Sequence, residues 1–420
     1  MIDLKYIRNY PELLKAAVIN KNEKADIDQI LELDEIKRKR QFEFDNLRSE
    51  QKRISSEIPE LKKAGADTTA IMAEMKSTAA AIKDMTIELS KITSDLENLL
   101  LTVPNLPAAG VPLGGEENNQ QIRAWGEPKK FDFRPLDQVE LAEINQLFDL
   151  KRAAKMSGSG FITYTGKGAA LERALINFFL DFHTGRHGYE ELSAPFIVNR
   201  QTMTGTGQLP KLENDMYHID QDDMFLIPTS EVSVTNFYAG EILPYSLLPR
   251  KFVSYSPCFR REAGSYGKDN KGLQRVHQFN KVEMVRFVQP ETSFDVLEEM
   301  VHDAEDILQA LGLHYRVVIL ATGDLSFASA KTIDLEVWAP GSDKYLEVSS
   351  VSNFLDFQAR RANIRFRDAD GKVKHLHTLN GSGLATPRSF IALIETWQNE
   401  DGSITIPEVL RPYLGNREIL

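Results

Sequence analysis

A single cysteine, Cys258, stands among 420 residues. An intrachain disulfide and a thiolate zinc cage are thereby excluded, and the reducing cytosol is the natural compartment. Long apolar runs are also missing. No stretch approaches the roughly 20 residues of a membrane-spanning helix, and the start Met1-Ile2-Asp3-Leu4-Lys5 lacks a signal-peptide pattern. Basic charge falls short of acidic, with 50 Lys and Arg against 61 Asp and Glu and a formal net charge of −11. The chain as a whole repels polyanions, so nucleic-acid binding has to come from local basic surface and be salt-sensitive. Internal repeats and low-complexity tracts are absent, which removes collagen-like, mucin-like and disordered-tail readings.

What remains is a soluble globular mixture, 42% hydrophobic and 26% charged, long enough for two or three domains. Its charge is unevenly spread. Residues 1–110 hold 17 basic and 19 acidic side chains, whereas the remaining residues hold 33 and 42. A nearly neutral but charge-rich front quarter points to a separate unit.

That unit reads as helical. Ile71, Met75, Thr78, Ile82, Met85, Leu89, Ile92, Leu96 and Leu99 recur at alternating spacings of four and three, a heptad seam with one polar interruption. A rougher seam over residues 28–61 runs through Leu33, Phe44, Leu47, Ile54, Ile58 and Leu61, interrupted by Lys37, Arg40 and Gln51. Between them Gly65 suits a helix stop and Asp67 or Thr68 an N-cap. Two long helices joined by so short a turn run antiparallel, so the spacing predicts a helical hairpin. The basic clusters Lys37 to Arg40, Lys52-Arg53 and Lys62-Lys63 fit either a recognition arm or a solvated face balanced by nearby acids.

Residues 102–121 contain three prolines and three glycines, too many breakers for a helix or central strand, and read as a linker. This divides the chain into an N-terminal domain 1–101, a linker 102–121 and a domain 122–420. In the last, short β-rich runs alternate with helices: Leu192 to Val198, Phe252 to Glu262, Val276 to Val288, Tyr315 to Ala321 and Tyr345 to Ser349. The expected fold is α+β, a mainly antiparallel sheet flanked by helices.

Chemistry concentrates in Phe252 to Val288, where two strand-like runs flank the polar loop 263–275. Period two places Cys258, Arg260 and Glu262 on one face of the first run, and His277, Phe279, Lys281 and Glu283 on one face of the second. Singly, each has a structural explanation: a core phenylalanine, an ion pair, a satisfied histidine. Jointly they suit a nucleotide and an amino acid. An arginine can fork onto phosphate or carboxylate, a phenyl ring can stack on a purine, and a carboxylate can hold an ammonium.

Arg260-Arg261-Glu262, a loop, then His277-Gln278-Phe279 and Lys281-Val282-Glu283 resemble motif 2 of class II aminoacyl-tRNA synthetases, in the form found in the bacterial-type seryl-tRNA synthetase family. Gly188 to Phe196, with Pro195, is similar to motif 1, and Asn380 to Arg388 to motif 3. The hairpin, the Pro-rich linker and the run Thr322 to Glu336 are also similar, so the resemblance spans nearly the whole chain.

The resemblance implies the site residue by residue. Thr229-Ser230-Glu231 would meet the amino group of L-serine, Glu283 and Ser382 would complete the serine site, and Arg260 would bridge the serine carboxylate and the α-phosphate of ATP. Arg261, Glu262 and Val276 belong to the ATP segment, Phe279 would stack on adenine, and Arg388 would reach adenine's other side or the γ-phosphate. Glu347-Val348-Ser349-Ser350 matches the ATP and magnesium segment, with Glu347 and Ser350 as Mg2+ ligands and no zinc expected. Strand alternation turns Arg261 away from the site, and Pro387 puts the aim of Arg388 in question.

The implied partners are L-serine, ATP, the serine tRNA with the selenocysteine tRNA as a further acceptor, and a second subunit in a homodimer. No membrane partner is implied. Three alternatives stay open on sequence: an inactive paralogue acting as an RNA-binding or scaffolding module, an enzyme that loads carrier proteins, and a coiled-coil dimeriser with an unrelated domain.

Overall fold

The computed structural model describes residues 1–263 and 271–420; residues 264–270, most of the polar loop, lie outside the described residues. The chain divides into two compact units, Met1–Pro104 and Asn105–Leu420.

The first unit is four helices: α1 (Leu4–Asn9), α2 (Pro11–Asn20), α3 (Ile27–Lys63) and α4 (Thr69–Leu100). Asp26 starts α3 by accepting the Gln29 N–H at 2.9 Å, which satisfies one of the free donors of the first turn. Gly65 ends it in the left-handed region at φ +70°. There the N–H of Ala66 reaches the Leu61 carbonyl and that of Gly65 the Lys62 carbonyl, the paired closing bonds of a Schellman cap. Thr68 occupies the N-cap position of α4 without a side-chain bond. Asp67 does that work instead, accepting from the Thr69 N–H at 2.9 Å and hydroxyl at 2.6 Å.

Every position of both predicted seams is buried or half-buried. Lys37, Arg40 and Gln51 follow the seam of α3 because their stems cover apolar surface while their heads reach water. Arg40 pairs with Glu88 at 2.9 Å and Arg53 with Glu74 at 3.8 Å, the cross-links of an antiparallel hairpin. These pairs are exposed and contribute little. Burial of Ile54, Leu89, Ile92 and Leu96, about 1.5–3 kcal/mol each, holds the helices together.

In the second unit eight strands form one sheet: β1 (Gln120–Trp125), β2 (Glu190–Glu191), β3 (Arg250–Phe259), β4 (Gln278–Val288), β5 (Tyr315–Ile319), β6 (Lys331–Ala339), β7 (Lys344–Asn353) and β8 (His377–Ala385). Their order is β1-β5-β6-β7-β8-β4-β3-β2. All neighbours are antiparallel except β2, which lies parallel to β3 at the edge. Helices α5 (Gly166–Gly185), α7 (Ser293–Ala310) and α8 (Thr386–Thr396), with the short α6 (Ser230–Thr235) between the first two in sequence, complete what matters for the site. Val253, Val282, Met284, Ile333 and Leu335 share the main core with Leu175, Leu297 and Ile391 of α5, α7 and α8. Phe252, Val285 and Phe287 point the other way into a second cluster with Ile364 and Phe366.

Two expectations shift. Leu192 to Val198 is not one strand. Only its end joins the short strand Ile197–Asn199, because Pro195 has no N–H to donate to a ladder. From Asn105 onward the breaker-rich stretch is fastened to the second unit: the Asn105 side-chain amide donates to the carbonyls of Ala328 at 2.9 Å and Phe354 at 2.8 Å. Among the described residues no helix is long and apolar enough to cross a membrane.

Candidate active site

Strand alternation that sends Val282 and Met284 into the helix-covered core turns Phe279, Lys281 and Glu283 toward the opposite face, where they line a cavity of about 690 Å³. Next to β4, strand β8 sets Ser382 directly across the ladder from Glu283. Glu283 is 1% exposed and gripped on both oxygens: the Asn380 amide donates to Oε1 at 2.9 Å, and the Lys281 ammonium ion-pairs with Oε2.

A second carboxyl comes from α6. Thr229 is its N-cap, accepting the Glu231 N–H at 3.2 Å, so the first turn aims Glu231 into the cavity. Gln358 donates to Glu231 Oε1 at 2.6 Å and is itself held by the Thr378 hydroxyl, which donates to its Oε1 at 2.7 Å. Burial first, and the Glu283 charge second, push the Glu231 carboxyl up to about 7.

Arg260 follows β3 directly. Its N–H donates to the His277 carbonyl at 2.9 Å, closing the hairpin, and its guanidinium lies 5.2 Å from the centre of the Phe279 ring. Beyond it the strand period fails. Glu262 adopts φ +50°, which turns its side chain back into the lining, where it accepts from Arg275 at 2.8 Å. Arg388 stands in the first turn of α8, donating to the Glu347 carbonyl at 2.9 Å and to Glu347 Oε2 at 3.2 Å. Pro387 is the second residue of that helix, where no intrahelical N–H is required, and does not divert Arg388 from the cavity.

The cavity therefore brings together Thr229, Glu231, Arg260, Glu262, Val276, Phe279, Glu283, Glu347, Val348, Ser350, Ser382 and Arg388. Three sequence-predicted contacts lie outside it. Arg261 is exposed and not in the lining, its N–H spent on the Asp215 carbonyl. The Ser230 hydroxyl is turned to Ser256 at 2.8 Å, and that of Ser349 donates to the Ser382 carbonyl at 2.6 Å, bracing β8 from behind. His277 and Cys258 also leave the lining. The histidine ring rests 5.2 Å from Phe161, and the thiol is buried, which pushes its pKa up.

Gln358 carries no motif in the sequence that marks it, and Asn380, which opens the motif 3 run, has no contact assigned by that motif although its amide holds Glu283. Gln358 reaches Glu231 across 127 positions of chain, and only the tertiary fold brings them together.

Mg2+ takes hard oxygen donors and usually binds through one or two carboxylates plus substrate phosphates. The Glu347 carboxylate and the Ser350 hydroxyl, neighbours on the cavity wall, fit that donor set. Beside them lies the buried Asp334, whose carboxyl is pushed well up by burial and then by the Glu347 charge. Among the described residues no group of three or more His, Cys, Asp or Glu is arranged for a metal, so a self-sufficient protein cage is not on offer.

Comparison with known proteins gives the same outline. Residues 1–107 match the seryl-tRNA synthetase N-terminal domain, and residues 213–397 the tRNA synthetase class II core domain (G, H, P, S and T). The serine–tRNA ligase of Caldicellulosiruptor saccharolyticus is 52% identical over 416 residues, 99% of this chain and 99% of that one. That of Thermoanaerobacter pseudethanolicus is 51% identical over 416 residues, 99% of this chain and 98% of that one. The crystal structure of seryl-tRNA synthetase from Pyrococcus horikoshii complexed with ATP aligns with a TM-score of 0.92 at 37% identity, covering 100% of this chain and 99% of that one. With relatives this close across its whole length, and a cavity lined from motifs 2 and 3, the chain belongs to the seryl-tRNA synthetase family of class II aminoacyl-tRNA synthetases.

Proposed function

We propose that the protein activates L-serine with ATP and transfers the seryl group to the 3′ end of a serine tRNA. The observation that carries this reading is the set of groups gathered in this cavity. Glu231, Glu283 and Ser382 cluster in its wall, Arg260 acts on Glu231 and lies over the Phe279 ring, and Arg388 meets Glu347.

Glu231 and the Thr229 hydroxyl receive the substrate ammonium, and Glu283 with Ser382 receives its hydroxyl. Arg260 holds the serine carboxylate against the α-phosphate, with the adenine on Phe279 and the phosphate tail toward Arg388. The carboxylate oxygen attacks the α-phosphorus in line and the bond to the β-phosphate oxygen breaks, releasing pyrophosphate. A terminal ribose hydroxyl of the tRNA then attacks the seryl carbonyl, and AMP leaves. Neither step uses a protein nucleophile; positioning and charge neutralisation suffice. Glu347 and Ser350 would hold Mg2+, which supplies further neutralisation of phosphate charge. A site that pairs a hydroxyl with buried polar groups rejects alanine, whereas threonine is refused only by lack of room for a methyl.

The family supports four further elements of this reading: a hairpin that grips the tRNA, a homodimer with Pro195 near its interface, the selenocysteine tRNA as a second acceptor, and a cytoplasmic setting. The deciding assay is ATP–pyrophosphate exchange across small amino acids. Serine alone should stimulate it strongly; a stronger response to glycine, alanine, threonine or proline would overturn the assignment.

A further inference from the structure

Lys281 has no part in the reaction described so far, yet it is 6% exposed and lies inside the cavity between Phe279 and Glu283. A lysine is rarely buried unless paired, and this one is paired with the carboxylate assigned to the substrate hydroxyl. The amino-acid end of the cavity holds two carboxylates, Glu231 and Glu283, which differ in their partners. Glu231 is hydrogen-bonded by the neutral amide of Gln358, at 2.6 Å. Glu283 carries the neutral Asn380 amide on Oε1 and the cationic Lys281 on Oε2.

Resting on the serine-activating reading, we propose that Lys281 is a specificity-determining residue that assigns the two carboxylates their roles. By pairing directly with Glu283 it leaves Glu231, whose hydrogen-bond partner is a neutral amide, to receive the substrate ammonium and reserves Glu283 as a hydrogen-bond acceptor for a neutral hydroxyl. Substrate orientation follows, because serine offers one cation and one hydroxyl and only one arrangement matches both. Lys281 also excludes side chains that carry positive charge where serine has its hydroxyl, since an incoming ammonium would meet the lysine in a desolvated pocket. The other charged or titratable groups facing it are Glu231 from α6, and Cys258 and Arg260 from β3 and its end.

The test uses 2,3-diaminopropionate, which has an amino group where serine has its hydroxyl, in ATP–pyrophosphate exchange by the full-length protein at mildly acidic pH, where both of its adjacent amino groups carry a proton. The parent should use serine and discriminate sharply against the diamine. In Lys281→Met the ratio of kcat/KM for the diamine to that for serine should rise by about tenfold or more, because Glu283 then stands buried without its cation. Lys281→Arg keeps the charge and should keep the parent ratio. A role confined to folding would lower both substrates together and leave the ratio unmoved. The proposal is overturned if the ratio in a folded Lys281→Met, checked by ATP binding and thermal melting, stays within about twofold of the parent. It is equally overturned if the unmodified protein accepts the diamine as well as serine, a result that needs no variant. Serine-dependent exchange in the parent keeps the underlying reading intact whichever way the ratio falls; its absence sinks both.

Discussion

Glu231 ties function to pH in a way that can be worked through. Its carboxyl is 7% exposed and pushed up to about 7 from an ordinary 4.5, chiefly by burial and then by Glu283, with Gln358, Lys281 and Arg260 opposing. To receive the substrate ammonium it has to be ionised. One pH unit below its pKa about a tenth of it is, so kcat/KM for serine should rise about tenfold between roughly pH 6 and 8 and then level off. Stability of the ligand-free protein moves the other way. Between the unfolded value near 4.5 and the folded value near 7 the folded state binds more protons, so stability falls as pH rises through that window. The shift amounts to roughly 3 kcal/mol. Serine supplies the missing cation, so the stabilisation it confers should grow over the same window. The assays are exchange at saturating ATP across the pH series, with melting curves with and without serine. Glu231→Gln should erase the inflexion along with most of the serine affinity. A flat parent profile, or an inflexion that survives in Glu231→Gln, refutes the assignment.

Other expectations can be checked with the same exchange assay. Arg260→Ala should lower exchange by about 10³-fold or more, since it removes the cation between carboxylate and phosphate, while the melting curve stays near the parent's; near-normal exchange would remove its role. Glu283→Ala should remove a large part of the discrimination of serine from alanine, which for a site that hydrogen-bonds a hydroxyl is on the order of 10⁴–10⁵-fold; parent-like selectivity would contradict the hydroxyl contact. Arg40 and Glu88 face each other at 2.9 Å, so residues 41–87 can be replaced by a short turn. This variant should retain exchange and lose tRNA charging by about tenfold or more at physiological salt; retained charging would relieve the hairpin of its tRNA role.

Much of this was legible in the sequence because it depends on local period. The seam Ile71 to Leu99 and its partner in α3 are buried where heptad spacing puts them, and Gly65 stops the helix for a reason visible in one residue. Phe279, Lys281 and Glu283 share a face because β4 is continuous across them. Alternation is a poorer guide at strand ends. His277 precedes β4, and β3 stops at Phe259, so Arg260 and Glu262 are placed by hairpin closure and a left-handed turn. Ser230 and Ser349 sit within recognisable motifs, yet their hydroxyls are claimed by Ser256 and the Ser382 carbonyl, partners 26 and 33 positions away. Such competition for one proton is settled by neighbours that no window of sequence contains.

Ser382 and Glu283 occupy facing positions on one rung between β8 and β4. Moving either strand along by a single residue would turn its half of that rung toward the helices, where Val282 and Met284 now pack, and bury charge in hydrocarbon. Correct threading of the central strands and recognition of the amino acid are thus one property. A misaligned chain cannot linger as a compact but indiscriminate enzyme, and the specific activity recovered after refolding is a direct count of molecules whose strands found their proper alignment.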